Sequence, residues 1–299
     1  MTRILCLHGY GTSSNILKHQ LSALTAAADP SFEFVFLEGE VECQEARGVA
    51  DLFQGPFLCY NDSFAPADVR QACELVKEFI EAEGPFDGVL GYSQGGALVL
   101  TCLLQHEIEK PSEPPPFQFA ILLSTAISFS TDDTFCSEIL DSVTDEEIQL
   151  LQDYPHSDLS SLSPVKRALC ETTAKAFLIA KMEGLIAPDT NSGSFAKRND
   201  PTLPRPFHPA LLDRRIRIPT VHITGKKDHP GFVELSVLMR GLCETSVMKA
   251  LTHSGAHEVP RKAEDVKAAW SAIEWAVQHS QRSSWRSVLQ NGGGQHERR

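Results

Sequence analysis

The chain has 299 residues, 42% hydrophobic and 22% charged, which suits one large globular domain or two small ones with a sizeable buried core. Its net charge of −12 argues against nucleic acid as a partner and, more mildly, against an anionic membrane surface, because no cationic stripe compensates for it. The apolar start is too short for a signal peptide, and no run approaches transmembrane length. The eight cysteines are scattered without metal-type spacing, so we expect a cytoplasmic chain with reduced thiols and neither a metal nor an organic cofactor.

In chain order, Arg3 to Leu7 reads as a first strand, and His8-Gly9-Tyr10-Gly11-Thr12-Ser13 as a loop. Ser13 or Ser14 is placed to cap a helix running to about Ala28. Phe32 to Leu37 is a second strand, followed by an irregular stretch to Asn61. A helix starts at Asp68, with Val69, Ala72, Cys73, Leu75, Val76, Phe79 and Ile80 on one face, and Gly84-Pro85 stops it. Phe86 to Leu90 reads as a buried strand, Gly96 to Leu104 as a buried helix, and Phe117 to Ser124 as a further central strand.

Ser130 to about Pro209 breaks the alternation, with helices expected at Asp145–Gln152 and Pro164–Lys181 and a polar segment after Ala187. We read 130–209 as a cap inserted over the sheet. Arg217 to Thr224 then forms a strand, Pro230 to Leu242 a helix, Ser246 to Leu251 the last strand, and Lys262 to Gln278 a final amphipathic helix. Residues 1–280 are thus expected to form a single α/β domain, and 281–299 a disordered tail. Strands joined by crossover helices lie parallel, with helices on both faces, and such sheets bind ligands beyond the carboxyl ends of their strands.

Gly91-Tyr92-Ser93-Gln94-Gly95 stands between the buried strand and the buried helix. A Gly-x-Ser-x-Gly turn in that setting is the nucleophile elbow of an α/β-hydrolase fold, here a mostly parallel sheet with an inserted cap. Its serine needs a base, and hydrolases of this fold supply the partners in the order Ser, Asp or Glu, His. Asp228 ends a strand in Gly225-Lys226-Lys227-Asp228, and His257 lies in the loop after the last strand. We therefore assign Ser93 as nucleophile, His257 as base and then acid, and Asp228 as the group that orients the imidazole. His253 and His229 are the nearest rivals, and His222, in mid-strand, reads as a core histidine.

The oxyanion hole is expected from the Gln94 amide and from the loop after the first strand, with the Tyr10 amide favoured and Gly11 as runner-up. His8 reads as a brace for that loop. Gly-x-Gly at positions 9 and 11 does not complete a dinucleotide fingerprint, since position 14 is Ser. Gly11, Tyr92, Phe177 and Leu185 are the candidate substrate contacts, with Leu178 and Ile186 as further residues able to line an acyl tunnel.

Leu5-Cys6-Leu7-His8-Gly9-Tyr10-Gly11, the run Gly84 to Gly96, Gly225-Lys226-Lys227-Asp228 and the run His253 to Pro260 resemble the FSH family of serine hydrolases, from Arg3 to about Gln278. Gly84-Pro85-Phe86-Asp87-Gly88 is the most specific part. Phe36-Leu37-Glu38-Gly39 also resembles the family, with Glu40 where proline is expected. The resemblance implies a Ser-Asp-His triad and esterase or thioesterase activity, and its fungal members commonly release a polyketide acyl chain from an acyl-carrier domain. A small-molecule carboxylesterase and an acyl transferase or cyclase are the enzymatic alternatives. A non-catalytic binding module would lack a triad member. A carrier would dock on a local basic patch, for which Arg214, Arg215 and Arg217 or Lys197 and Arg198 are candidates.

Overall fold

The protein is described from a computed structural model covering residues 1–182, 184 and 200–292, with side chains described through Arg282. β1 (Thr2–Leu7) leads through a loop to α1 (Ser14–Gln20) and α2 (Ser22–Ala26). Ser13 caps α1, its hydroxyl accepting from the Ile16 amide at 3.3 Å. The helix expected to reach Ala28 divides at Leu21, whose ψ of −2° departs from the α pitch. Leu17, Leu21 and Leu24 are all buried on the two short pieces.

β2 (Phe32–Leu37) follows, then a two-stranded antiparallel ribbon of β3 (Val41–Glu42) and β4 (Leu58–Cys59) within the stretch expected to be irregular. α3 (Pro66–Glu83) precedes β5 (Gly88–Tyr92), and α4 (Gln94–Glu109) precedes β6 (Phe119–Leu123). Both strands start two residues later than their apolar runs. The ladder begins only where Gly88 finds Ile4 and Phe119 as neighbours. Ahead of it, Asp87 and Gln118 serve as lead-ins, bonded to Arg3 and Asp87 carbonyls at 2.9 and 2.8 Å.

Between β6 and β7 (Thr220–Gly225) the chain leaves the sheet for α5 (Ser137–Asp141), α6 (Asp145–Gln152) and α7 (Pro164–Met182). α6 starts in a capping box, with the Glu147 amide donating to the Thr144 hydroxyl and the Thr144 amide to the Glu147 carboxylate. These helices bury a cluster of their own, with Leu140, Ile148, Leu151, Leu162 and Leu169 at its centre. α8 (Pro230–Arg240), β8 (Met248–His253) and α9 (Ala263–Gly292) complete the fold. α9 runs past Gln278, because nothing in Ser280–Asn291 is a glycine or proline that would break it. Residues 293–299 of the expected tail lie outside the described residues.

The six main strands form one parallel sheet in the order β2-β1-β5-β6-β7-β8. One face is covered by α3, α4 and α8, the other by α1, α2 and α9. On the second face the Trp270 indole lies edge-on to Phe32, 5.0 Å between ring centres, and donates to the Leu24 carbonyl at 2.7 Å. The chain winds outward from β1 to β2, then returns to place β5 on the other side of β1. That reversal makes the carboxyl ends of β1 and β5 the topological switch point, where a crevice opens in sheets of this kind.

Candidate active site

The residue just beyond β5 is Ser93, with φ 51° and ψ −112°. This conformation is strained for a residue with a Cβ and costs about 1–3 kcal/mol, so the surroundings must impose it. They do so by close approach. A Cβ on Gly95 would stand 2.3 Å from the Leu7 carbonyl oxygen, and one on Gly91 would stand 2.5 Å from the Gly95 carbonyl. Only glycine lets α4 start this close to β1 and β5. The Ser93 amide donates to Leu123 O at 2.9 Å, and the Ser93 carbonyl accepts from the Ala126 amide at 3.2 Å, which ties the elbow to β6.

Asp228 follows β7, and His257 lies in the loop after β8. Their connections are drawn together where Lys227 N donates to Gly255 O at 2.8 Å. The His257 Nδ1 is 2.9 Å from Asp228 Oδ2, and its Nε2 is 3.0 Å from Ser93 Oγ. The other Asp228 oxygen accepts from the His229 amide at 2.8 Å. The Asp228 side chain is almost sealed at 2% exposure, while the imidazole keeps 27%. An acceptor-only carboxylate at Nδ1 leaves Nε2 free of its proton and facing the hydroxyl, which is the arrangement for general-base work. Phe232, four residues after Asp228 and on α8, lies against the imidazole at 4.4 Å between ring centres. The Tyr92 hydroxyl donates to the His257 carbonyl at 2.8 Å. The two rival histidines point elsewhere, each using Nδ1 to accept an amide of its own loop, Gly255 for His253 and Gly231 for His229. His222 is buried on β7.

His8 fixes the loop after β1. Its Nε2 accepts from the Gly39 amide at 2.9 Å, so Nδ1 carries the proton and donates to Gly9 O at 2.8 Å. Burial holds this imidazole below its ordinary range, which keeps that neutral tautomer. The Tyr60 hydroxyl accepts from His8 N at 2.9 Å and donates to Leu37 O at 3.1 Å. Glu38 caps α1 by accepting from the amide and hydroxyl of Ser14. The Gln94 side chain accepts from the Tyr60 amide at 3.1 Å and donates to the Asn61 carbonyl at 2.7 Å. Sequence reasoning did not find Tyr60, Asn61 or Phe232. Among the described residues the Tyr10 and Gln94 amides have no hydrogen-bond partner.

A cavity of about 560 Å³ opens beside Ser93 and His257, within the range of small-molecule sites. Its inner wall is apolar, with Phe64, Leu98, Phe129, Ile179, Phe232 and Leu235. Tyr92 lines it. Two other expectations are corrected. α7 lines the cavity with Ala176, Ile179 and Ala180, spaced as one helical face, and Phe177 is turned about 100° away from that face. Gly11 does not line it either, because at φ +63° it packs against Ala46 and Gln44. Leu185 and Ile186 lie outside the described residues. Among the described residues no group of His, Cys, Asp and Glu is arranged to hold a metal ion, and no helix is long and apolar enough to cross a membrane.

Two of the three arginines of the first basic patch are engaged within the chain, and Arg214 is exposed. Arg217 bonds Glu107 and the Pro111 carbonyl, and Arg215 bonds the carbonyls of Pro209, Leu212 and Arg214. Lys197 and Arg198 lie outside the described residues.

The family described as FSH1 serine hydrolase matches residues 1–269. The chain is 59% identical over 282 residues to "Esterase alnB" of Emericella nidulans, covering 94% of this chain and 99% of the relative. It is 29% identical to "Serine hydrolase cnsH" of Penicillium expansum over 81% of this chain and 97% of that one. It is 32% identical to "Hydrolase FUB4" of Fusarium oxysporum f. sp. lycopersici, over 88% and 94% of the two chains. With a family match that spans the whole sheet and includes the strained Ser93 turn, the chain belongs to the FSH1 family of serine hydrolases and is a hydrolase acting on esters.

Proposed function

We propose that Ser93, His257 and Asp228 form the catalytic triad of an esterase or thioesterase that releases a bulky apolar acyl group through an acyl-enzyme. The observation that carries this reading is the unbroken line from Asp228 Oδ2 through His257 to Ser93 Oγ, at 2.9 and 3.0 Å, ending on an apolar cavity. Ser93 Oγ attacks the acyl carbonyl as His257 Nε2 takes its proton, and buried Asp228 stabilises the resulting imidazolium. The carbonyl oxygen becomes an oxyanion, and the amides of Gln94 and Tyr10 are free to receive it. Gln94 sits at the N-terminus of α4, whose dipole adds to that stabilisation. The imidazolium then gives its proton to the departing alcohol or thiolate, which returns His257 to its neutral form. A water molecule, deprotonated by His257, attacks the acyl-enzyme and frees Ser93.

Residues 130–209 are proposed to act as the cap, with Ala176 and Ile179 of α7 setting the shape of the acyl end. The finer proposal is that the acyl group is a polyketide chain presented as a thioester by a carrier domain. Two exposed arginines, Arg47 and Arg261, line the cavity mouth of an otherwise acidic protein and match the phosphate of a carrier arm. The chemistry is tested with matched oxygen esters and pantetheine thioesters of short and long acyl chains, run in ¹⁸O water. The reading expects labelled free acid and a higher kcat/KM for long-chain thioesters. Unlabelled cyclised or transferred product would establish the acyl-transfer alternative. Equal rates on oxygen esters and thioesters would remove the carrier.

A further inference from the structure

The turn that follows Asp228 carries an aromatic ring to His257. His229 caps α8, its Nδ1 accepting from the Gly231 amide at 3.1 Å, and the Val233 amide donates to His229 O at 3.1 Å. Phe232 stands half-buried in this first turn. α7 presses on the same turn, where a Cβ on Gly231 would lie 3.1 Å from Ile179 Cδ1. The backbone that presents the Phe232 ring is therefore fixed from two sides.

Asp228 and Phe232 meet the imidazole in different ways. The carboxylate holds Nδ1 at 2.9 Å, at the edge of the ring. The Phe232 ring is centred 4.4 Å from the imidazole with 34° between the planes, so it leans over a face. Tyr92 is a second aromatic neighbour, centred 5.7 Å away and tilted by 41°. Its hydroxyl holds the His257 carbonyl at 2.8 Å. Tyr92 is itself confined, since a Cβ on Gly9 would stand 3.1 Å from its ring. Tyr92 thus anchors the backbone of His257, and Phe232 covers its side chain.

We propose that Phe232 is a positioning residue for the general base, and that its ring face stabilises the imidazolium that His257 becomes during acylation and deacylation. The proposal rests on the triad reading above. Before reaction the imidazole faces Ser93 Oγ through an unprotonated Nε2. It takes the serine proton as Oγ bonds to the acyl carbon, and gives that proton to the leaving group as the acyl–leaving group bond breaks. The cycle repeats with water in place of serine. The face of an aromatic ring is negative, so its attraction for the imidazole grows as the positive charge appears. An interaction that strengthens only in the transition state raises kcat without tightening substrate binding. An aliphatic side chain at this position would exclude water from the same face and leave the lost hydration of the cation uncompensated.

The test places mono-, di- and trifluorinated phenylalanine at position 232 of the full chain. Fluorine withdraws electron density from the ring face in steps and nearly keeps the ring's shape. Hydrolysis of the p-nitrophenyl acetyl and octanoyl esters is measured for each protein, with thermal unfolding to verify the fold. We expect kcat to fall stepwise with fluorine number, reaching about 2- to 30-fold for the trifluorinated ring, the range of a cation–π contact. The loss should be the same on both esters, with KM unchanged. Phe232→Leu should lose at least as much kcat as the trifluorinated ring. A kcat that stays level or rises across the fluorine series overturns the proposal and leaves Phe232 as packing. A change confined to KM or to the octanoyl ester also overturns it, and makes Phe232 only a wall of the cavity that it lines. Failure of the triad reading would show separately, as undiminished hydrolysis by His257→Ala.

Discussion

Replacing Asp228 with asparagine keeps the side-chain shape and removes the charge, and the surroundings set the consequence. Both oxygens of Asp228 accept, one from His257 Nδ1 at 2.9 Å and the other from the His229 amide at 2.8 Å. An amide has only one acceptor end. If its oxygen faces His229, its NH₂ meets Nδ1, and the ring must move its proton to Nε2, the atom facing Ser93 Oγ. If its oxygen faces Nδ1, its NH₂ opposes the His229 amide in a site with 2% exposure, where water cannot relieve the clash. Loss of one charge-assisted hydrogen bond, about 1.5–3 kcal/mol, sets a floor of about 10- to 150-fold in rate. Holding the ring in the wrong tautomer extends the loss towards about 10⁴-fold, the magnitude of the same exchange in a chymotrypsin-type triad. Steady-state hydrolysis of a p-nitrophenyl ester by Asp228→Asn, with thermal unfolding to verify the fold, measures this. The loss should fall on kcat with little change in KM. A folded variant with less than about fivefold loss, or a loss confined to KM, would refute the orienting role of Asp228.

The same geometry sets three further outcomes. Ile179→Trp should fill the apolar end of the cavity, raising KM for an octanoyl ester by about tenfold or more while sparing the acetyl ester, as a competition across chain lengths would measure. Gly95→Ala should destabilise the fold by about 1–3 kcal/mol or more in urea melts, because its Cβ would lie 2.3 Å from the Leu7 carbonyl. His222→Leu should flatten the acid limb of stability. Burial, with Arg240 nearby, pushes the His222 imidazole down to about 3, so the unfolded chain takes up a proton below about 6.5 that the folded chain refuses. The stability this ring contributes is fully present above about pH 6.5 and is lost as pH falls towards 3. Wild type should lose about 2–3 kcal/mol more than His222→Leu between pH 7 and 4.5, and equal losses would show that the ring does not titrate in this way.

The features legible in the sequence were those written locally. The elbow could be read because Gly91, Ser93 and Gly95 fall within one five-residue motif, even though the space that Gly95 leaves is for Leu7 of β1. The two partners of Ser93 could be read because a parallel sheet delivers strand ends to one rim, so Asp228 and His257 needed only to follow the right strands. Features set by tertiary contact were not legible. The apolar run of β5 extends two residues ahead of its ladder, since pairing begins where Ile4 and Phe119 stand. The rotational phase of α7, which selects Ala176 and Ile179 over Phe177, depends on how that helix rests over the sheet. Tyr60 carries no motif, and its hydroxyl gains meaning only from the His8 amide 52 positions earlier.

The central claim is that the Ser93 oxygen is a nucleophile activated by His257. A fluorophosphonate probe reacts only with such an oxygen, and intact-mass and peptide mapping locate the adduct. We predict a single adduct on Ser93, formed in parallel with loss of ester hydrolysis, absent from Ser93→Ala and strongly slowed in His257→Ala. A folded wild-type chain that takes no label at Ser93, or a Ser93→Ala variant that labels and hydrolyses as fast as wild type, would contradict it.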